Sequence, residues 1–439
     1  MRILIVTLGS RGDIQPYVAL GKGLQAAGYA VKIATHRPFE AFVRRHGLDF
    51  APVASDPREE LLSQRGQAWV GSGQNPVRFF YRFYKLSVPY IEQMMRDVWK
   101  AAQDADAVIA AILGLAGLNA AEARRLPAIF APVQPVLRTR FYPSVAAPEC
   151  RKAAFICRRY NLLTHIAWEY AFWLPFHRLI NRARRDIMGL PPYSWKPPFA
   201  HIARGPVLNG FSPLVVPPPP DWPPHVCTSG YWFLLEADTY TPPADLDAFL
   251  ADGPPPVYIG FGSMPDPNPE QTANMVLDAV QRAGVRAVLA RGWAGLQPHD
   301  VPDTVFLVDE VPHDWLFPRM AALVHHCGAG TTAAGLRAGV PTIGVPHFAD
   351  QPFWARRIQA LGVGPRPIPR QHLTTDRLTA ALLHVVHNQT MRDAAAHLGE
   401  QIRAEDGVGR AVAYIREQFG AGRAFWQSAP TLATQGADA

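Results

Sequence analysis

LVHHCGAGTTAAGLRAGVPTIGVPHFADQPFWARRIQALGVGPRP runs from Leu323 to Pro367. An apolar strand end over 321–325 leads into a loop of small residues, 326–331. A helix, a second strand over 341–345 and a polar pair, Asp350–Gln351, follow. The small residues let backbone N–H groups approach a phosphate closely, and the positive end of the helix points at the same place. His326 adds a donor at the loop entrance. Such a site binds a diphosphate without needing a metal.

The amino terminus, MRILIVTLGSRGDIQPYVALGKGLQAAGYAVKIATH, repeats the plan. Ile3–Val6 is a continuous apolar run, expected of a parallel strand buried on both faces. A glycine-containing loop, 9–12, precedes a helix with apolar Val18, Leu20 and Leu24. A turn at Gly28 and a strand over 30–34 complete a βαβ unit.

Together the two blocks resemble the inverting, nucleotide-sugar-dependent glycosyltransferases of the GT-B fold. The likeness is strongest to the branch holding sterol glucosyltransferases and the antibiotic and glycolipid enzymes. The implied fold is α/β, with two doubly wound, Rossmann-like domains facing across a cleft. The resemblance puts His326, Gly328, Ala329, Gly330 and Thr331 on the diphosphate and Asp350 and Gln351 on the sugar hydroxyls. Cys327 stands where most of the branch has glycine. In Gly-Ser-Arg-Gly-Asp, Asp13 occupies the place of the catalytic base, with Ser10 and Arg11 beside the donor. Further donor contacts are expected from residues just past strand ends: Ser263, Trp293, Val311 and His313. One base, with no carboxylate pair acting as nucleophile and acid, implies a single displacement with inversion. The resemblance also implies UDP-glucose as co-substrate, no further cofactor and no metal.

The chain's 439 residues suggest two domains, and 48% hydrophobic with 18% charged residues excludes a disordered chain. The proline run VPPPPDWPP begins at Val216 and reads as an extended connector. The expected domains are therefore an acceptor-binding 1–215, a linker 216–225 and a nucleotide-sugar-binding 226–419 whose last helix packs back on the first. A disordered tail, 420–439, completes the chain. A helical aromatic insertion is expected near 150–190. Asp104 and Asp106 read as a solvated turn rather than a metal site. His384 and His387 lack a third ligand. Cys150, Cys157, Cys227 and Cys327 show no paired spacing, which argues against a disulfide framework. No apolar run reaches spanning length, so a cytoplasmic protein, monomeric or weakly dimeric, is expected.

The formal charge of +7 is uneven. Between Arg138 and Arg185 lie ten basic residues against two acids, interleaved with Phe, Tyr and Trp. That pattern suits an anionic membrane surface, and a solvated arginine-rich face over an aromatic core is its rival. Nucleic acid is not expected as a partner. The aromatic first half points to a lipophilic acceptor, a sterol or triterpenoid first. A glycolipid, carotenoid or polyketide aglycone with a dTDP- or UDP-sugar is the alternative. A catalytically silent protein of this fold, or a nucleotide-sugar epimerase, is the rival of another class.

Overall fold

A computed structural model describes residues 1–72, 76–262, 264, 266, 268–292, 301–424 and 426. Strands β1 (Arg2–Val6), β2 (Ala30–His36), β3 (Asp49–Val53), β4 (Ala107–Ala110), β5 (Ala128–Phe130), β6 (Val207–Asn209) and β7 (Val226–Thr228) form one sheet. Strands β8 (Val257–Gly260), β9 (Ala287–Ala290), β10 (Val305–Val308), β11 (Ala322–His325) and β12 (Thr342–Gly344) form another. Their spatial orders are β3-β2-β1-β4-β5-β6-β7 and β10-β9-β8-β11-β12, with parallel pairing.

β1 shows why the apolar runs behave as they do. Ile3 and Ile5 enter one hydrophobic cluster and Leu4 and Val6 another, all fully buried. Each such side chain contributes about 1.5–3 kcal/mol of burial. A strand of this kind has no polar face because helices cover both sides of its sheet.

The strand order reverses between β1 and β4 in the first sheet and between β8 and β11 in the second. Ligands of open parallel sheets bind at such points. The helices that frame them are α1 (Arg11–Ala26), α2 (Pro76–Ala101), α3 (Ala154–Trp173), α4 (Ala329–Ala338), α5 (Gln351–Ala360) and α6 (Gly407–Gly420). α6 packs against the first domain: Ala411, Val412, Ile415 and Phe419 join its core.

Two expectations are corrected. β7 pairs with β6 inside the first sheet. The proline run 216–224 therefore connects two strands of one sheet, and the chain crosses to the second domain only after Thr228. Proline at 223–224 stops neither neighbour, because β7 is an edge strand that begins beyond it. Cys150 and Cys157 are disulfide-bonded, Cα–Cα 5.4 Å apart, where the loop before α3 folds back on its first turn. The tail from 427 onward lies outside the described residues. Asp104 is held by Arg2 at 2.6 Å and Lys32, and Asp106 accepts from the Arg2 N–H at 2.7 Å, so both tie down residues of β1 and β2.

Candidate active site

A cavity of about 2830 Å³ lies between the two sheets. Every described candidate lines it: Ser10, Arg11, Asp13, Val311, His313, His326, Gly328, Ala329, Gly330, Thr331, Asp350 and Gln351. Ser263 and Trp293 lie outside the described residues.

Asp13 is the third residue of α1, and Ser10 is its N-cap. The Asp13 carboxylate reaches back to accept from the Ser10 N–H at 2.9 Å and Oγ at 3.0 Å, both through Oδ2. This satisfies an otherwise orphaned N–H of the helix end and fixes the side chain. Thr7 Oγ1 donates to the Asp13 carbonyl at 2.7 Å. Burial raises the carboxyl above its usual range, against the lowering pull of the Ser10 donors. Among the described residues no hydrogen bond engages Oδ1.

Opposite stands the N-terminus of α4. Its N-cap is Gly328, with no side-chain cap and no acid in the first turn. A Cβ on Gly330 would lie 3.6 Å from the Gly12 Cα, so the two helix-opening loops meet across the cleft. His326 is buried and held neutral, its basicity pushed down to about 4 by desolvation and then by His313. Its Nδ1 has no hydrogen-bond partner among the described residues. His325 is different: its Nδ1 accepts from the Cys327 N–H at 3.0 Å inside the core. His313 stacks on Phe317 with centroids 4.2 Å apart.

Two candidates, Arg11 and Gln351, are engaged within the protein. Arg11 is tied to Glu236 and Glu310, each at 3.2 Å, rather than turned to the phosphate loop. The two acids come from the interdomain segment and from the loop after β10. Gln351 Oε1 accepts from the His347 N–H at 2.8 Å, and Nε2 donates to Met264 Sδ at 3.2 Å. Its carbonyl therefore holds its own loop, and one of its two amide N–H groups is engaged as well. Cys327 adopts φ +64°, the left-handed region that glycine enters without steric cost. Asp350 accepts from Trp354 Nε1 at 2.8 Å. Burial pushes its carboxyl up to about 6, and Asp13 across the cleft adds to the rise.

The first-domain wall of the cavity is apolar. Trp69, Phe83, Phe172 and Trp168 form a chain with centroids 5.3–5.7 Å apart, and Trp69 reaches Phe348 of the second domain at 5.3 Å. Sequence reasoning named this region as aromatic. It missed His36, Ser55, Glu60 and His347, which also line the cavity and belong to no local pattern.

Comparison with known proteins agrees with this geometry. Residues 3–143 match the glycosyltransferase family 28 N-terminal domain, and residues 274–413 match the erythromycin biosynthesis protein CIII-like C-terminal domain. The sterol 3-beta-glucosyltransferase of Aspergillus terreus is 40% identical over 94% of the chain, and that of Cryptococcus neoformans 37% over 98%. The chain spans 30% and 28% of the length of those two relatives. In fold it is similar to the spinosyn forosaminyltransferase SpnP (TM-score 0.68, 16% identity, 96% of this chain and 99% of that one). It is likewise similar to the glycosyltransferase VinC solved with dTDP (TM-score 0.63, 21% identity, 95% and 100%).

Proposed function

This chain belongs to the GT-B glycosyltransferases, and from that premise we propose that it moves glucose from UDP-glucose to the hydroxyl of a sterol or related polycyclic alcohol. The observation that carries the reading is the joining of three features in one cavity: the Asp13 loop, the uncapped end of α4 and the aromatic wall.

In this reading the acceptor O–H gives its proton to Asp13 while its oxygen attacks the anomeric carbon. The bond from that carbon to the diphosphate oxygen breaks on the opposite face, which inverts the configuration. A raised carboxyl is a better match for this task than an ordinary one. The departing diphosphate gains charge, and the free N–H groups of 329–331 with His326 are positioned to receive it. Asp350 and the Gln351 amide hold the sugar hydroxyls. Burying a flat apolar alcohol against the aromatic wall contributes about 25 cal/mol per Å² removed from water. The name of the sterol-transferring relatives supports the acceptor class.

The same domain also exposes apolar and basic side chains. α3 lines the cavity with Trp168 and Phe172 and turns Phe155 and Leu163 outward, 68% and 62% exposed. Arg151, Lys152, Arg158, Arg159 and Arg178 of the same segment are exposed as well. We infer peripheral attachment to an anionic bilayer, each cation adding about 1 kcal/mol near the surface.

An acceptor panel of sterols beside soluble phenolics, with UDP release as readout, tests the acceptor. Preference for the phenolics, or UDP release indifferent to any acceptor, would overturn it. Titration of UDP-glucose against dTDP-activated 6-deoxysugars tests the donor, with a dTDP preference counting against it. Co-sedimentation with anionic vesicles should weaken as salt rises, and indifference to salt and lipid charge defeats the peripheral attachment.

A further inference from the structure

We infer that His36 is a positioning residue for the base, acting through Gly9; the inference rests on reading Asp13 as that base. His36 ends β2, beside the loop that follows β1, and it lines the cavity. Its Nε2 accepts from the Gly9 N–H at 3.2 Å. That bond requires the neutral ring with its proton on Nδ1. Nδ1 in turn lies 3.3 Å from both the Ala54 carbonyl and Ser55 Oγ, and it donates to them.

The far end of this link is anchored. The Ala54 N–H donates to Asp97 Oδ2 at 2.8 Å, so α2 holds the segment that holds the ring. Ser55 adopts φ +85°, a strained conformation for a non-glycine residue that persists where its surroundings over-determine it.

The near end leads directly to the base. Gly9 has φ +125°, and a Cβ there would lie 2.5 Å from Asp13 Oδ2. The Gly9 backbone is thus the floor on which the carboxylate rests, and the next N–H, from Ser10, donates to that same oxygen. Removing the Nε2 acceptor frees the Gly9 peptide to rotate, and the Ser10 donor moves with it. Misplacement by about 1 Å costs on the order of a hundredfold in rate.

Replacement of His36 by Ala, Asn and Gln tests the link. The Gln amide oxygen reaches the position of Nε2, whereas the Asn oxygen reaches only that of Nδ1. We expect H36A and H36N to lose about tenfold to a hundredfold in kcat with donor and acceptor KM nearly unchanged. H36Q should recover to within about threefold of wild type. Because H36A can fail to fold, the matched pair H36N and H36Q carries the test, with melting temperatures recorded for both. Equal kcat in that pair, or wild-type turnover in a folded H36A, overturns the inference. D13N is assayed in parallel. An active D13N sinks the reading of the base itself, whereas an inactive D13N beside a fully active H36A sinks only the role of His36.

Discussion

The loop after β1 and the loop after β11 are the same device with opposite electrical endings. Each follows a central buried strand, contains a residue in the left-handed region (Gly9 at φ +125°, Cys327 at +64°) and opens a helix. At α1 the acid in the first turn folds back and caps the helix itself. At α4 the first turn holds no acid, the N-cap is glycine, and no side chain among the described residues caps the amides. A capped end is closed to phosphate and presents a carboxylate; an uncapped end attracts anions. In the proposed reading one supersecondary unit supplies the base on one side of the cleft and the leaving-group site on the other, and the choice lies in Asp13 against Gly328–Thr331.

Exchanging the sign of the first ending breaks the contrast most severely. D13N keeps the shape and a hydrogen-bonding oxygen but loses the proton acceptor. General-base removal costs about a hundredfold to ten-thousandfold, so kcat should fall about a thousandfold while calorimetry still detects donor binding. Turnover near wild type would return Asp13 to the role of a helix cap.

At the second ending the expected loss is smaller, because several donors share the leaving charge. H326A removes one of them beside a set of backbone amides, and about a hundredfold in kcat is expected. The loss should shrink for donors with better leaving groups. An equal loss for all donors would mean that the ring packs Gly262 and Gly328 rather than serving the diphosphate.

Much of this contrast is readable in the chain because both endings are local. A strand, a glycine loop and a helix adjoin in sequence, and the apolar runs at Ile3–Val6 and Leu323–Val324 mark strands buried on both faces. The short strands β3 and β6 escape notice. Pro52 sits inside β3, and β6 has only three residues, too few for a period to show. The boundary after Thr228 escapes for a related reason: a proline run marks where regular structure stops, not which sheet the next strand joins. The links from His36 to Gly9 and from Arg11 to Glu236 and Glu310 join residues 27, 225 and 299 positions apart, and no local pattern encodes such pairs. The Cys150–Cys157 bridge depended on how the loop before α3 folds back, which spacing alone leaves open.

The first ending also senses a carboxylate outside both loops, Asp350 at the start of α5. Asp13 is among the groups that raise Asp350, whose carboxyl is pushed up to about 6 chiefly by burial. An ionised Asp350 accepts sugar hydroxyls and a protonated one does so less well. Donor affinity should therefore be full above that value and fall as pH drops through about 6. Removing the like charge at position 13 lowers the Asp350 pKa, so in D13N the midpoint for donor binding should move to lower pH. Titrations across the range read this shift directly. A midpoint that stays fixed would mean the carboxylates are screened from one another.

The mildest change completes the comparison at the left-handed residues. Gly9 cannot be replaced without pressing on Asp13, since a Cβ would lie 2.5 Å from Oδ2. Cys327 already carries a side chain there, at a strain of about 1–2 kcal/mol for a non-glycine residue. C327G relieves that strain. It also removes a fully buried thiol packed in the cluster of Phe353 and Trp354, a loss of similar size through lost burial and a small cavity. The two effects oppose each other. The expected net change is within about 1 kcal/mol, or at most a few degrees in Tm, with donor affinity and kcat near wild type. A large gain in Tm would show that strain outweighs packing at this loop. A loss of donor binding would show that the thiol, through the His325–Cys327 turn, sets the aim of the amides that follow it.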